Sequence, residues 1–340
     1  MPDPIRAADV AQLATATRNG FVENRFFGSA VVVDSEGRQL AAVGDPAAGV
    51  YPRSALKPFQ AIASLRCGAE LAGPGLALAA GSHIGTVWHQ QVATEVLANA
   101  GLQADALACP AVYPASASQV AKAALDVAPL PLERSALAHN CSGKHAGFLA
   151  ATVAAGAEPA HYLDADAPVQ AETLRVLEQY CATSIHHHGV DGCGAPTPVM
   201  SLAALARGFS ALGLALEDRN AELPAATVAR AMLDYPEAVQ GQHRPDTVVL
   251  ESLGLLVKTG ADGIVGLAAP DGTAVAVSMI DSTHRATHLV ALVLLANFAP
   301  DALSVEAMSG VIDRIVAPIY GGNQAVGGIK VAPDVLRLLG

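Results

Sequence analysis

The sequence predicts an α/β fold of the α+β kind. A mixed sheet is built from both chain ends and flanked by helices, with a helical insertion between. Three observations predict it. Strand patterns occupy the N-terminal region, strand patterns return in the C-terminal third, and the stretch between is Ala-rich with helical spacing. No repeat, linker or low-complexity run divides the chain. Residues 1–340 therefore read as a single domain, with its sheet part at 20–65 and 250–340 and a mainly helical part at 66–249.

In chain order, Phe26 to Val33 and Arg38 to Val43 flank Asp34-Ser35-Glu36-Gly37, which predicts a hairpin. A loop with Gly44, Pro46, Gly49 and Pro52 follows. Ser54 opens a helical pattern, Ala55 to Cys67, closed by Gly68. Leu71 to Asp234 is mostly helical, most clearly at Thr86 to Ala100 and Ser142 to Ala155. Leu255 to Lys258, Gly263 to Ala268 and Thr273 to Ile280 read as strands, the last two joined by a turn at Ala269-Pro270-Asp271-Gly272. An apolar helix, His284 to Asn297, and a second, Ser304 to Val316, come next.

The length allows a sizeable core. The net charge is −11, with both signs scattered and no basic stripe, which argues against nucleic-acid binding. No apolar region follows Met1-Pro2-Asp3-Pro4-Ile5-Arg6, so no signal peptide is expected. The longest apolar run, around Leu289 to Ala299, is too short to cross a bilayer and reads as a buried helix. Five Cys without a tight framework suggest reduced thiols and a cytoplasmic protein.

Against this background, four segments concentrate polar residues: Tyr51 to Pro58, Gly81 to Gly85, His139 to His145 and Gly189 to Pro196. In the first, Ser54 and Lys57 stand three apart, so a helix places both on one face. A neutral Lys there takes the Ser proton and makes a nucleophile. The helix N-terminus at Ser54 favours developing negative charge. Lys258-Thr259-Gly260 closes an apolar run that reads as a strand. Ser-x-x-Lys with Lys-Thr-Gly is the vocabulary of penicillin-recognising serine acyl enzymes. The bland alternative is a solvated surface pair. Ser82-His83 reads as a tight turn with a capping Ser and an exposed His.

The third and fourth segments carry Cys141, Lys144 and Cys193. Two thiolates and a third ligand suit Zn²⁺ with an open or water-filled fourth position, although a Lys ligand must be deprotonated. The alternatives are small buried thiols, or Cys141 as a nucleophile with His145 four residues on. Cys67, Cys109 and Cys181 read as structural thiols. His186-His187-His188 is a metal candidate or an exposed polar loop. Arg244 and Asp246 contact ligand or form an ion pair.

Together these segments resemble the bacterial L-asparaginases of the Rhizobium etli thermolabile type, which are unrelated to the Thr-dependent and plant-type enzymes. The resemblance runs from Arg53-Ser54 to Gly327-Gly328. It implies a fold similar to serine β-lactamases and serine-dependent glutaminases. It also implies two Ser–Lys tandems, Ser54 with Lys57 and Ser82 with Lys258, and so sets aside the capping role for Ser82. Cys141, Lys144 and Cys193 match the family's zinc ligands, with Asp191 the nearby acidic residue. Known members resemble homodimers. No departure occurs at these positions.

The expected activity is hydrolysis of the L-asparagine side-chain amide through an acyl-enzyme. Ser54 attacks and Lys57 accepts its proton, while Ser82 relays it to ammonia with Lys258 setting its polarity. Ser82 as the nucleophile remains an alternative. Backbone N–H groups of Ser54 and near Gly260 are candidates for the oxyanion hole. For a zwitterionic substrate, Asp191 suits the α-ammonium and Arg53 or Arg244 the α-carboxylate. Asn140 and His83 complete the substrate-binding candidates. Zinc is expected to orient the substrate or the Asp191 loop. Three rivals stand beside this reading. A β-lactam enzyme lacks support because the Ser-Asp-Asn motif is missing and no signal peptide is expected. A glutaminase differs by one substrate methylene. A non-catalytic zinc-stabilised amino-acid-binding protein would leave both Ser–Lys pairs idle.

Overall fold

A computed structural model describes residues 2–115, 133–218 and 222–339. Residues 116–132 and 219–221 of the expected helical stretch lie outside the described residues. Alternating and β-branched sequence produces three N-terminal strands, β1 (Ala11–Arg18), β2 (Phe21–Val33) and β3 (Gln39–Val43). The short strands β4 (Gly49–Val50), β5 (His188–Val190), β6 (Pro196–Pro198) and β7 (Met200–Ser201) make two separate ribbons, β4–β7 and β5–β6. The C-terminal third supplies β8 (Leu256–Thr259), β9 (Ile264–Ala268), β10 (Ala274–Met279), β11 (Ile319–Gly321) and β12 (Gln324–Val331).

The main sheet has the order β11-β12-β1-β2-β10-β9-β8, with β3 also paired to β2. Its strand pairings among the described residues are all antiparallel. The two chain ends meet twice: β10 pairs with β2 through Ala276↔Val31, and β12 pairs with β1 through Ala16↔Ile329. The hairpin expected at residues 26–43 is β2–β3, and that expected at 263–280 is β9–β10. The strands β1 and β12 were not expected.

The helices are α1 (Lys57–Arg66), α2 (Gly73–Ala79), α3 (Val87–Asn99), α4 (Ser142–Ala154), α5 (Pro168–Cys181) and α6 (Leu202–Leu214). They continue as α7 (Leu223–Asp234), α8 (Pro236–Val239), α9 (Pro245–Leu253), α10 (Thr287–Phe298), α11 (Val305–Ile315) and α12 (Pro333–Leu336). Side chains at the boundaries fix several starts: Thr86, Ser201 and Ser304 cap α3, α6 and α11 by accepting the third backbone N–H.

Every residue of β9 and β10 is buried, so both faces of the sheet centre are covered. The covering helices are α6 and α10, which both pack on β2, β9 and β10. α10 is apolar around its circumference, as a helix with no solvent face should be. The Phe209 ring of α6 lies so close over Gly266 of β9 that a Cβ there would overlap it. The remaining helices pack mainly on one another, with α4 lying against α1, α2 and α3. That helical layer brings the Gly81 and Asn140 turns to the start of α1, where the site forms.

Candidate active site

Ser54 sits on a turn of 3-10 helix, Arg53–Leu56, that leads directly into α1. The end of β8 lies against this turn. A Cβ on Gly260 would run into Pro52 O, so only glycine allows the approach. Lys57, the first residue of α1, is 1% exposed. Its Nζ lies 2.6 Å from Gly81 O, 3.0 Å from Asn140 O and 2.9 Å from Ser82 Oγ. Burial pushes its amine below the usual lysine range. The expected partner was Ser54. Among the described residues the Ser54 hydroxyl makes no hydrogen bond, and Lys57 reaches Ser82 instead. The two carbonyls, from distant segments, direct the amine there.

Lys258 was the expected partner of Ser82. It is fully buried, and its Nζ donates to Thr259 O at 2.6 Å and to Asp246 Oδ2 at 3.4 Å. Burial lowers its amine to about 8; Asp246 opposes that shift, and the charge of Lys57 adds to it. Asp246 also accepts from Thr259 N at 2.9 Å, Thr259 Oγ1 at 2.5 Å and His288 Nε2 at 2.9 Å. Burial alone would raise this carboxyl, but Lys258 and His288 hold it well below the usual carboxylate range. For Asp246 the sequence leaves two expectations, ligand contact or an ion pair with Arg244. Its partners are Lys258, Thr259 and His288, two of them missed by sequence reasoning because His288 lies on α10 and Thr259 stood only as part of a motif.

Cys141, Lys144 and Cys193 converge in the interior, all at most 3% exposed. Lys144 Nζ donates to Cys193 Sγ at 3.0 Å. A hydrogen bond from Cys193, with Lys57 and Lys144 nearby, drives the Cys141 thiol well below its usual range despite burial. Cys193 is correspondingly raised, so the pair carries one thiolate. Burial would lower Lys144, but the two sulfurs outweigh it and keep the ammonium. Two soft sulfurs and a buried amine, already in mutual contact, are a donor set that fits Zn²⁺ once the amine and second thiol release their protons. Among the described residues no group of three His, Cys, Asp or Glu could hold a metal, so this fit depends on the lysine.

Asp191, on the loop carrying Cys193, accepts from Arg53 Nε at 2.7 Å and from Gly192 N at 2.8 Å. Arg53 also bonds Asp262. The two proposed anchors of opposite charge are thus paired with each other. His83 has both ring nitrogens engaged: Nδ1 accepts from Gly85 N at 3.0 Å, so Nε2 carries the hydrogen and faces Ser142 Oγ at 3.0 Å. Burial keeps the ring neutral. His145 Nδ1 is 2.5 Å from Tyr162 Oη, a pairing that turns it toward Tyr162. The Gly260 N–H donates to Ile264 O at 2.8 Å within the sheet and is taken. Burial pushes the Cys109 and Cys181 thiols up to about 12, as inert thiols require. His187 Nε2 meets Tyr51 Oη at 3.0 Å on the surface.

Two cavities open near these groups. The larger, about 760 Å³, is lined by Tyr51, Arg53, His187, Asp191 and Asp262. The smaller, about 350 Å³, is lined by Ser82, Asn140, Arg244, Thr259 and His288. The smaller one matters more for chemistry, because it holds the hydroxyl facing Lys57. The Arg244 side chain has no hydrogen bond or ion pair among the described residues, and it lines that same cavity.

A buried amine against a cavity-facing hydroxyl, on an antiparallel sheet covered by helices, is an arrangement suited to nucleophilic chemistry. The chain belongs to the L-asparaginase II family, whose pattern matches residues 14–331. Among solved structures it is similar to Mglu in its native form, at 12% identity and a TM-score of 0.43, over 79% of this chain and 63% of that one. It is similar to Mglu in its glutamate form at 14% identity and a TM-score of 0.36, over 82% and 62% of the two chains. A beta-lactamase from Mycobacterium bovis is similar at 16% identity and a TM-score of 0.33, over 81% of this chain and 95% of that one. The chain thus spans less than two thirds of the length of Mglu. No curated protein matches it.

Proposed function

We propose that this protein is an L-asparaginase of the Rhizobium etli type, which hydrolyses the side-chain amide of L-asparagine to aspartate and ammonia through an acyl-enzyme on Ser82. Membership of the L-asparaginase II family supports the substrate class. The observation that carries the mechanism is the environment of Lys57. A neutral amine has two N–H groups and one lone pair. The carbonyls of Gly81 and Asn140 account for both N–H groups, leaving the lone pair for the Ser82 hydroxyl.

Lys57 takes the Ser82 proton as Oγ bonds the amide carbon. Collapse of the tetrahedral adduct breaks the C–N bond, and the leaving nitrogen takes that proton and departs as ammonia. Water then adds to the ester, giving its proton to Lys57, which returns it to Ser82 as aspartate leaves. Arg244 is the α-carboxylate anchor, being unpaired among the described residues and on the same cavity wall. Arg53 and Asp191, being paired, serve to hold the Cys193 loop to the Ser54 turn. A second reading puts the ester on Ser54, whose hydroxyl is free of hydrogen bonds among the described residues, at the start of a helix.

Cys141, Lys144 and Cys193 would hold Zn²⁺. The ion would supply a fixed positive charge that organises the Asp191 loop. Metal analysis of the purified protein tests this: zinc near one per chain, lost in Cys141→Ser, is expected, and a metal-free yet stable wild type would sink it. We further take the chain to work as one catalytic unit within a cytoplasmic homodimer, and molar mass in solution by light scattering checks the assembly.

The deciding experiment measures ammonia release from L-asparagine and, in parallel, L-glutamine. An acid quench followed by peptide mass analysis then locates the ester. Aspartyl ester on Ser82 is expected; ester on Ser54 transfers the nucleophile to the second reading. Preference for glutamine would make the protein a glutaminase, since one methylene is worth only about 1–3 kcal/mol of discrimination. Asparagine that raises Tm without ammonia release would make it a binding protein.

A further inference from the structure

Asp246 has no place in the steps above, yet it is the most fully engaged carboxylate among the described residues of the site. It is 0% exposed, in the first turn of α9, where the helix dipole favours a negative charge. A carboxylate offers about four lone-pair sites. Here they meet Lys258 Nζ, Thr259 N, Thr259 Oγ1 and His288 Nε2. The contacts come from β8 and α10, so one carboxylate ties three elements together. Thr259 and His288 are wall residues of the Ser82 cavity, and Arg244 and Pro245, immediately before Asp246, line it too.

We infer that Asp246 is a positioning residue of the Ser82 site: its carboxylate holds Lys258 and Thr259 in register with the cavity wall and keeps a positive charge fixed there. The inference rests on the acyl-transfer reading of Ser82. Buried ion pairs contribute little net stability compared with apolar packing, so orientation is the better account of such a group. The charge it holds is under pressure. Burial and the nearby Lys57 both disfavour the proton on Lys258, and Asp246 is the foremost group that counters them. The groups facing Lys258 are Asp246 from α9, Lys57 from α1, Cys141 ahead of α4, and His284 and His288 at the start of α10. Of these only Asp246 bonds it.

The test compares wild type, Asp246→Asn and Thr259→Val, as full-length purified protein. Two readouts are taken: kcat and KM for L-asparagine across neutral to alkaline pH, and the titration of Lys258 itself by NMR of protein labelled at lysine Cε. In Asp246→Asn, kcat falls about tenfold or more with KM nearly unchanged, a positioning loss. The alkaline limb and the Lys258 midpoint both move down by roughly one unit, because the opposite charge is gone. Thr259→Val keeps the carboxylate, removes one donor, and moves both in the same direction by less. A folded Asp246→Asn with unchanged kcat and unchanged Lys258 midpoint overturns the inference. If that variant does not fold, Thr259→Val decides by the same two readouts. A wild type that releases no ammonia sinks the amidase reading, and the Lys258 midpoint still decides whether Asp246 holds the charge.

Discussion

Lys57 and Lys258 are withdrawn from solvent to the same degree, at 1% and 0% exposed. Among the described residues only Lys258 meets a carboxylate. Lys57 meets two carbonyls and a hydroxyl, with the Cys141 sulfur beside it in place of a carboxylate. Burial lowers both amines, but the surroundings assign them different work. An amine whose N–H groups face carbonyls and whose remaining partner is an O–H is arranged as a base. An amine bonded to a carboxylate is arranged as a standing charge. The pair shows that depth of burial alone does not say which lysine moves a proton; the count of partners does.

The largest expected effect breaks the first half of that comparison. Lys57→Met removes the base and leaves its methylenes in place. We expect kcat for L-asparagine to fall by about 10²–10⁴-fold, the usual contribution of a general base. The fold should be disturbed less than by loss of Lys258, because the buried Cys141 sulfur that Lys57 faces keeps Lys144 beside it. Steady-state ammonia release with a parallel thermal melt checks both parts. Turnover within a few-fold of wild type would return the role of base to another group.

The second effect tests the other half. Lys258→Met leaves the Asp246 carboxylate buried beside His288 and Thr259 without its cation. Removing one partner of a buried pair costs about 3–5 kcal/mol, so urea denaturation should show a marked loss of stability that Lys57→Met does not. Equal losses in the two variants would mean that the carboxylate contact does not distinguish the lysines.

Much of this was legible beforehand, and the illegible parts have physical causes. The β2–β3 hairpin announces itself through Asp34-Ser35-Glu36-Gly37 and the Val-rich strand before it. By contrast β1 is built of Ala and Thr with few large apolar residues, and β12 contains Gly327 and Gly328. Those glycines carry no strand signal, yet a Cβ on Gly327 would strike Thr17 O across the β1–β12 pair, so glycine is what lets the chain ends join. In the site, the polar segments and the Cys141–Lys144–Cys193 grouping were readable from residue type and order. The partner of each lysine was not. A spacing of three puts Ser54 and Lys57 on one face, but the carbonyls that draw Lys57 toward Ser82 belong to residues 81 and 140. Asp246 was visible only as a neighbour of Arg244, since its ligating groups are brought in by β8 and α10.

The smallest effect sharpens the comparison through pH. Lys258 titrates at about 8 in the folded protein, against 10.5 for an ordinary lysine. Between those values the unfolded chain binds the proton that the folded chain has released. Stability therefore rises with pH through that window, and burial of Lys258 is unfavourable below it. Asp246 works at the other end: its carboxyl is held low, so its contribution is present above the ordinary value of 3.8 and is lost as pH falls below it. Methionine does not titrate, so the stability of wild type relative to Lys258→Met should grow as pH rises from about 8 to 10.5, by at most roughly 3 kcal/mol. Urea midpoints and slopes for the two proteins at several alkaline pH values measure it. A constant difference would show that Lys258 keeps its proton throughout, and its carboxylate would then offset burial completely.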